Sequence, residues 1–351
     1  MTDTTPTPPP AQPNAGSAVS TGRARHRRRR AGRPAMTALA ALGALGAFLA
    51  PTAPATAAPQ PSPRQAAVTD WETLAWGDDT YGQAAIPTAA QKGASAVAAG
   101  AFHSLAVKDG KVLAWGSNLY QQTDVPATLS SGVTAVSGGY LHSLALKNEA
   151  VLAWGSDRYD ATTVPPAAKT DVTAVAAGQY FSLALKHGAV LAWGDNRYQQ
   201  TELPTETHSG ITAIAAGAYH GLALTDEGKV LAWGDNRKKQ TDIPAPVTNG
   251  VATAIAAGRD FSVAVVGGRA YAWGTGIANQ NVPALAQSKV TAVAAGNGHI
   301  VALRDDGRAI EWKAHTTALS AVPATANTKV LSIAAGAYHS LALRGDPPAT
   351  P

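Results

Sequence analysis

AVAAGAFHSLAVKDGKVLAWGSNLYQQTDVP, from Ala96 to Pro126, breaks into short apolar segments separated by turn residues. AVAAG ends in glycine, HSLAV and KVLAW flank Asp109-Gly110, and the last segment ends in proline. A two-residue Asp-Gly joint is the turn chemistry of a tight hairpin, and the 3.6-residue period of a helix is absent. Four short antiparallel strands are therefore expected in this unit. Proline cannot donate to a ladder, so the fourth is expected to be the exposed outer edge.

The unit recurs. Trp-Gly pairs stand at Trp76, Trp115, Trp154, Trp193, Trp233 and Trp273, and Trp312 follows without its glycine, at steps of 39, 39, 39, 40, 40 and 39 residues. A second ladder runs Gly100, Gly139, Gly178, Gly217, Gly258, Gly296, Gly336, and a third of prolines runs from Pro87 to Pro323. The hairpin joints of the following units are expected at Asn148-Glu149, His187-Gly188, Glu227-Gly228, Gly267-Gly268 and Asp306-Gly307. Periods near 40 residues mean solenoids, propellers or arrays, and four strands per unit with alanine and glycine crowding the first select a propeller. The chain opens on a third-strand segment, Thr73 to Pro87, and closes on first- and second-strand segments, Val330 to Leu343. The expected fold is all-β: a seven-bladed β-propeller of four-stranded antiparallel blades, its ring closed by N- and C-terminal strands sharing one blade.

Histidine recurs in this pattern at His103, His142, His220, His299 and His339, with Phe181 and Phe261 in the two remaining places. Serine follows at Ser104, Ser143, Ser182, Ser262 and Ser340, which invites a catalytic reading. A catalytic histidine is needed once, whereas a packing or turn-bonding one is useful in every blade, so these residues and the tryptophans are read as structural. No H-x-x-x-H or cysteine metal set, G-x-S-x-G elbow or P-loop is present. The expectation is a non-enzyme without catalytic residues, metal or cofactor.

The formal charge of +5 and pI near 9.4 suggest a nucleic-acid partner until the charges are located. Seven of the 28 basic residues lie within residues 1–57, and the remainder carries 21 basic against 22 acidic side chains. No nucleic-acid partner is expected. RARHRRRRAGR, the apolar MTALAALGALGAFLA and APATAA follow one another in the order of an export signal, here with a long basic n-region. The apolar run is too short to span a bilayer well, so cleavage after Ala57 is expected and no membrane attachment afterwards. The bland alternative is a disordered basic tail on a cytoplasmic protein. The expected organisation is an export signal over 1–57, a flexible lead-in over 58–70, the propeller over 71–345 and a tail over 346–351, secreted and monomeric. The chain has no cysteine, so its stability must come from a sizeable core.

With blade strands lettered A to D from the axis outward, the A–B and C–D loops share one face. Those loops carry Phe102, Leu141, Tyr180, Tyr219, Asp260, Gly298 and Tyr338, and Tyr81, Tyr120, Tyr159, Tyr198 with neighbouring aspartates and arginines. Such a ring has the composition of a protein-binding hot-spot surface, the bland alternative being aromatics that lean on adjacent blades.

The repeated V-x-A-x-A-A-G-x-Y-H-S-L-A-L-K-x-G-x-V-L-A-W-G resembles the repeats of the regulator of chromosome condensation superfamily. More closely it is similar to the secreted bacterial beta-lactamase inhibitory protein II family, over about Trp71 to Arg344. The Q-T-x-[VIL]-P signature of that family stands at Gln122 to Pro126, Gln200 to Pro204 and Gln240 to Pro244. The resemblance implies inhibition of class A beta-lactamases by non-covalent occlusion, one propeller face covering the active-site entrance. Carried onto matching positions, it implies contacts from Tyr81, Phe102, Tyr180, Asp195, Tyr198 and Tyr219, with Tyr120 and Tyr159 beside them. This chain departs from the family at Asp260 and Gly298, where aromatic residues are expected, and in the sixth-blade loop WKAHTTALSAVP. An extracellular propeller binding another protein or a cell-wall component is the alternative. Nucleotide exchange, known in eukaryotic relatives, sits poorly with export and with the absence of a basic tail after cleavage.

Overall fold

Turn chemistry sets the hairpins. Asp109 and Gly110 lie at φ 52° and 70°, Asn148 and Glu149 at 48° and 62°, and His187 and Gly188 at 49° and 75°, the left-handed pairs that a two-residue turn demands. They join the middle strands His103–Lys108, His142–Lys147 and Phe181–Lys186 to the outer strands Lys111–Gly116, Ala150–Gly155 and Ala189–Gly194. Two later turns are longer than the sequence suggests. Thr225 N bonds Lys229 O and Arg304 N bonds Arg308 O, so three residues make each turn, with Gly228 and Gly307 left-handed. The first of these insertions accounts for the 40-residue step between Trp193 and Trp233.

The computed structural model describes residues 71–275 and 282–345. The expected export signal, the lead-in and the tail over 346–351 lie outside the described residues. Within them the strands form seven antiparallel sheets, each inner–middle–outer. Blade 1 consists of Ala94–Ala99, His103–Lys108 and Lys111–Gly116, and blades 2 to 6 follow in sequence. Blade 7 combines Val330–Ala335 and His339–Arg344 with Glu72–Gly77, paired in register from Glu72↔Arg344 to Gly77↔His339.

Among the described residues each blade has three ladder strands, not the four expected from the sequence. Among the described residues the proline-ending segment forms no ladder strand, only the single bridge Trp312↔Leu319 in blade 6; elsewhere its hydrogen-bonding groups are taken up locally, and its prolines open short helical turns instead. Pro87 O accepts from Ala90 N at 2.8 Å and Pro126 O from Leu129 N at 2.9 Å, at the start of the turns Thr88–Ala90 and Ala127–Leu129. A fixed proline φ suits that entry as well as it suits a sheet edge.

Every inner strand shifts register by one residue near its start, as between Ala94 and Ala96 and between Val133 and Ala135. The Thr134, Thr173 and Thr212 hydroxyls at these bulges donate to Leu146 O, Leu185 O and Leu224 O. A bulge increases local twist, which each blade of a propeller needs. The core lies in the seams: Leu105 and Val107 of blade 1 pack with Val136, Ala145 and Trp154 of blade 2, and the other seams repeat this scheme. Near the axis the glycine ladder is a steric requirement. A Cβ on Gly139 would sit 2.5 Å from the His142 ring and 2.8 Å from Gly178 O.

Candidate protein-binding face

The His-Ser repeat is a clasp between blades. His103 Nε2 lies 2.9 Å from Ser143 Oγ, and His142–Ser182, His220–Ser262, His299–Ser340 and His339–Ser104 repeat the link at 2.9–3.1 Å. Ser104, Ser143, Ser182 and Ser262 Oγ donate onward to Gln83, Gln122, Ala161 and Gln240 carbonyls, so each histidine donates from Nε2. Where the histidine is Phe181 or Phe261, the next blade carries Gly221 or Ile300 in place of serine. Burial pushes His103 down to about 3 and His142, His220 and His339 down to about 4, so all four are neutral at pH 7.

Those same carbonyls anchor the loops that follow the outer strands. Gln83 O and Gln122 O also accept the indole Nε1 of Trp115 and Trp154 from the next blade, at 3.0 and 2.9 Å. Each fully buried glutamine then folds its own loop: Gln83, Gln122 and Gln200 Oε1 accept from Tyr81, Tyr120 and Tyr198 N at 2.8 Å, and Gln240 Oε1 from Lys238 N at 2.9 Å. A second side chain spans the turn, with Asn118 Oδ1 accepting from Thr123 N and Asn196 Oδ1 from Thr201 N. The residue two places before the glutamine is thereby thrust outward, and it is a tyrosine in three of these four loops.

The sequence-predicted aromatics other than Tyr120 gather in an arc over blades 7, 1, 2, 3 and 4. Tyr81 packs edge-on against Phe102 at 5.4 Å, Tyr159 against Tyr180 at 5.6 Å and Tyr198 against Tyr219 at 4.9 Å. Tyr120 stands exposed beside Leu119 on the blade 1 loop. The bridge through the middle is Tyr140, 5.5 Å from Phe102 and 5.8 Å from Tyr180. Sequence reasoning missed it by one position: the second residue after the glycine, Leu141, is buried, and the first carries the ring. Tyr338, 6.4 Å from Phe102, extends the arc. Burial raises the Tyr140 and Tyr219 phenols above the ordinary tyrosine range.

Asp195 plays a different part from the ring residues. Its side chain is 1% exposed and holds Arg197 through Nε and Nη2, both at 2.9 Å, placing the guanidinium 4.3 Å over the Tyr159 ring. Asp235 holds Arg237 over Tyr198 in the same way, at 4.1 Å. Burial disfavours the Asp195 charge, but the hydrogen bonds from Arg197 outweigh it and hold the carboxyl below its ordinary value. A partner would therefore meet arginine stacked on tyrosine, with aspartate beneath. Blades 5 and 6 present Arg259, Asp260, Asn297 and Gly298 on the A–B loops and no aromatic ring there.

Residues 94–122, 172–200 and 211–240 match the family model for the regulator of chromosome condensation (RCC1) repeat. Comparison with curated proteins finds no match. Among solved structures, Prp20p of Saccharomyces cerevisiae, described with its binding to Gsp1p and histones, is 20% identical over 80% of this chain and 93% of its own, with a TM-score of 0.63. Human WBSCR16 is 17% identical over 79% of this chain and 99% of its own, with a TM-score of 0.62. The CRINKLY ectodomain of the Arabidopsis thaliana receptor kinase ACR4 is 19% identical over 70% of this chain and 91% of its own, with a TM-score of 0.56. At such identities the likeness is one of fold.

Proposed function

We propose that the chain is a secreted, monomeric protein-binding propeller that inhibits class A beta-lactamases by covering the active-site entrance without covalent chemistry. The observation that carries the binding role is the aromatic arc, fixed by buried glutamines and stacked arginines before any partner arrives. Aromatic anchors that are already ordered lose little side-chain entropy on docking, and such residues dominate binding energy. The enzyme class rests on the resemblance of the AWG and Q-T-x-[VIL]-P repeats, and secretion rests on the order of basic, apolar and A-x-A segments at the N-terminus. Tyr81, Phe102, Tyr120, Tyr140, Tyr159, Tyr180, Tyr198 and Tyr219 are the proposed contacts, and Asp195 acts through Arg197. The deciding experiment is hydrolysis of nitrocefin by purified class A beta-lactamases titrated with the chain. Inhibition at about nanomolar concentration, some 12 kcal/mol of binding, is expected. No inhibition at about micromolar concentration across several such enzymes overturns the enzyme class and directs the search to another extracellular protein or a cell-wall component.

A further inference from the structure

The seven A–B loops surround a funnel on the propeller axis with a volume of about 190 Å³. Alanine and glycine at the ends of the inner strands form its depth, and the two sides of its mouth differ in chemistry. One side is an aromatic wall: Phe102 at the centre, with Tyr140 at 5.5 Å and Tyr338 at 6.4 Å. The other side carries Arg259, the one charged residue lining the funnel among the described residues, together with Asn297. Asp260 Oδ2 lies 3.6 Å from the Nε edge of Arg259, while Nη1 turns toward Asn297 Oδ1 at 3.5 Å. Asn297 Nδ2 donates to the Tyr338 hydroxyl at 2.6 Å, and because that phenol accepts here, its own proton can be donated.

We infer that the axial funnel binds a small carboxylate with an aromatic or branched apolar body. A guanidinium beside a phenol offers charge-assisted donors to a carboxylate, and the facing rings cover an apolar group edge-on. Size agrees: a cavity of about 150 Å³ accommodates benzene, so this one has room for a ring with its acid group. A cationic guest would face Arg259. A free aromatic acid and the C-terminal residue of a peptide share the required chemistry. The site lies within the aromatic arc, so its ligand competes with a protein docked there, but its own chemistry does not depend on the beta-lactamase reading.

The test is calorimetric titration of the full chain with phenylacetate and phenylacetamide, and with N-acetyl-L-phenylalanine and its amide. Each carboxylate is expected to bind about tenfold or more tighter than its amide, with the preference lost in Arg259→Gln. The Arg259 side chain is 56% exposed, so the variant should keep the parent's thermal midpoint. Tighter binding of phenylacetate assigns the site to a free acid, and tighter binding of N-acetylphenylalanine assigns it to a chain terminus. No binding of either acid at about 10 mM, equal affinity for acid and amide, or a preference that survives Arg259→Gln overturns the inference. Since no enzyme is involved, its failure is separate from a negative nitrocefin titration.

Discussion

Acidification from pH 7 to pH 5 should sharply destabilise the propeller, because its histidine clasps are buried in the neutral form. His103 ionises at about 3 in the folded chain and His142, His220 and His339 at about 4, against 6.5 when unfolded. The folded values are depressed, so the stability these groups contribute is fully present above about 6.5 and is lost as pH falls toward the folded values, where the unfolded chain binds protons that the native one refuses. Each pKa unit is worth about 1.4 kcal/mol, and the fraction titrated by pH 5 amounts to about 1.8 kcal/mol per histidine, or about 7 kcal/mol for the four. That approaches the whole stability of a typical domain and corresponds to a fall of about 14 °C in Tm for a protein of this size. Asp78, Asp157, Asp195 and Asp235 ionise below their ordinary value, beneath this window, so they do not imitate the effect. Thermal melts followed by circular dichroism at pH 7, 6 and 5 read it directly. Replacing one clasp by the pair native to the next seam, His142→Phe with Ser182→Gly, should remove about a quarter of the loss. A Tm equal at pH 7 and pH 5, or a double variant with the parent's pH slope, would refute the reasoning.

Tyr180→Ala and Tyr219→Ala should each cost about 1–3 kcal/mol of beta-lactamase binding, and undiminished inhibition with both rings removed would displace the site from the arc. Asp195→Asn should release Arg197 from the Tyr159 ring and weaken binding about tenfold, with a smaller effect on Tm; equal losses from Asp195→Asn and from a core substitution would mark the aspartate as merely structural. Gly139→Ala forces a methyl group against the His142 ring and Gly178 O, so a loss of about 2–4 kcal/mol is expected by urea unfolding, and an unchanged midpoint would contradict the axial packing.

The repeats were legible because they are the local chemistry of the fold. Asp109-Gly110 can adopt the left-handed pair, the tryptophans mark the outer strands, and the axial glycines follow the inner ones. The proline-ending segment misled because T-x-V-P alternates like an edge strand, while its neighbour Gln122 reads as a surface residue. Only in three dimensions is that glutamine seen buried and accepting from the backbone of Tyr120. The direction of Asp195 was not legible either: nothing in the sequence says that its carboxylate turns inward beneath Arg197. The clasp partners were in plain view, since phenylalanine replaces histidine at Phe181 and Phe261 only where the next repeat lacks serine.

That pairing bears on how such a chain can change. A histidine at one position answers to a serine in the following repeat, so a blade copied or exchanged whole carries one half of each of two contacts and keeps them only where its new neighbours carry the matching halves. A copy of the stretch around Phe181 inserted before a serine-bearing blade would leave that hydroxyl without its ring donor, and Ile300 behind a histidine would do the reverse. Substitutions there must therefore come in couples, about 40 residues apart within the chain and 235 apart where the ring closes, so the unit of packing at these positions is the boundary between blades rather than the blade.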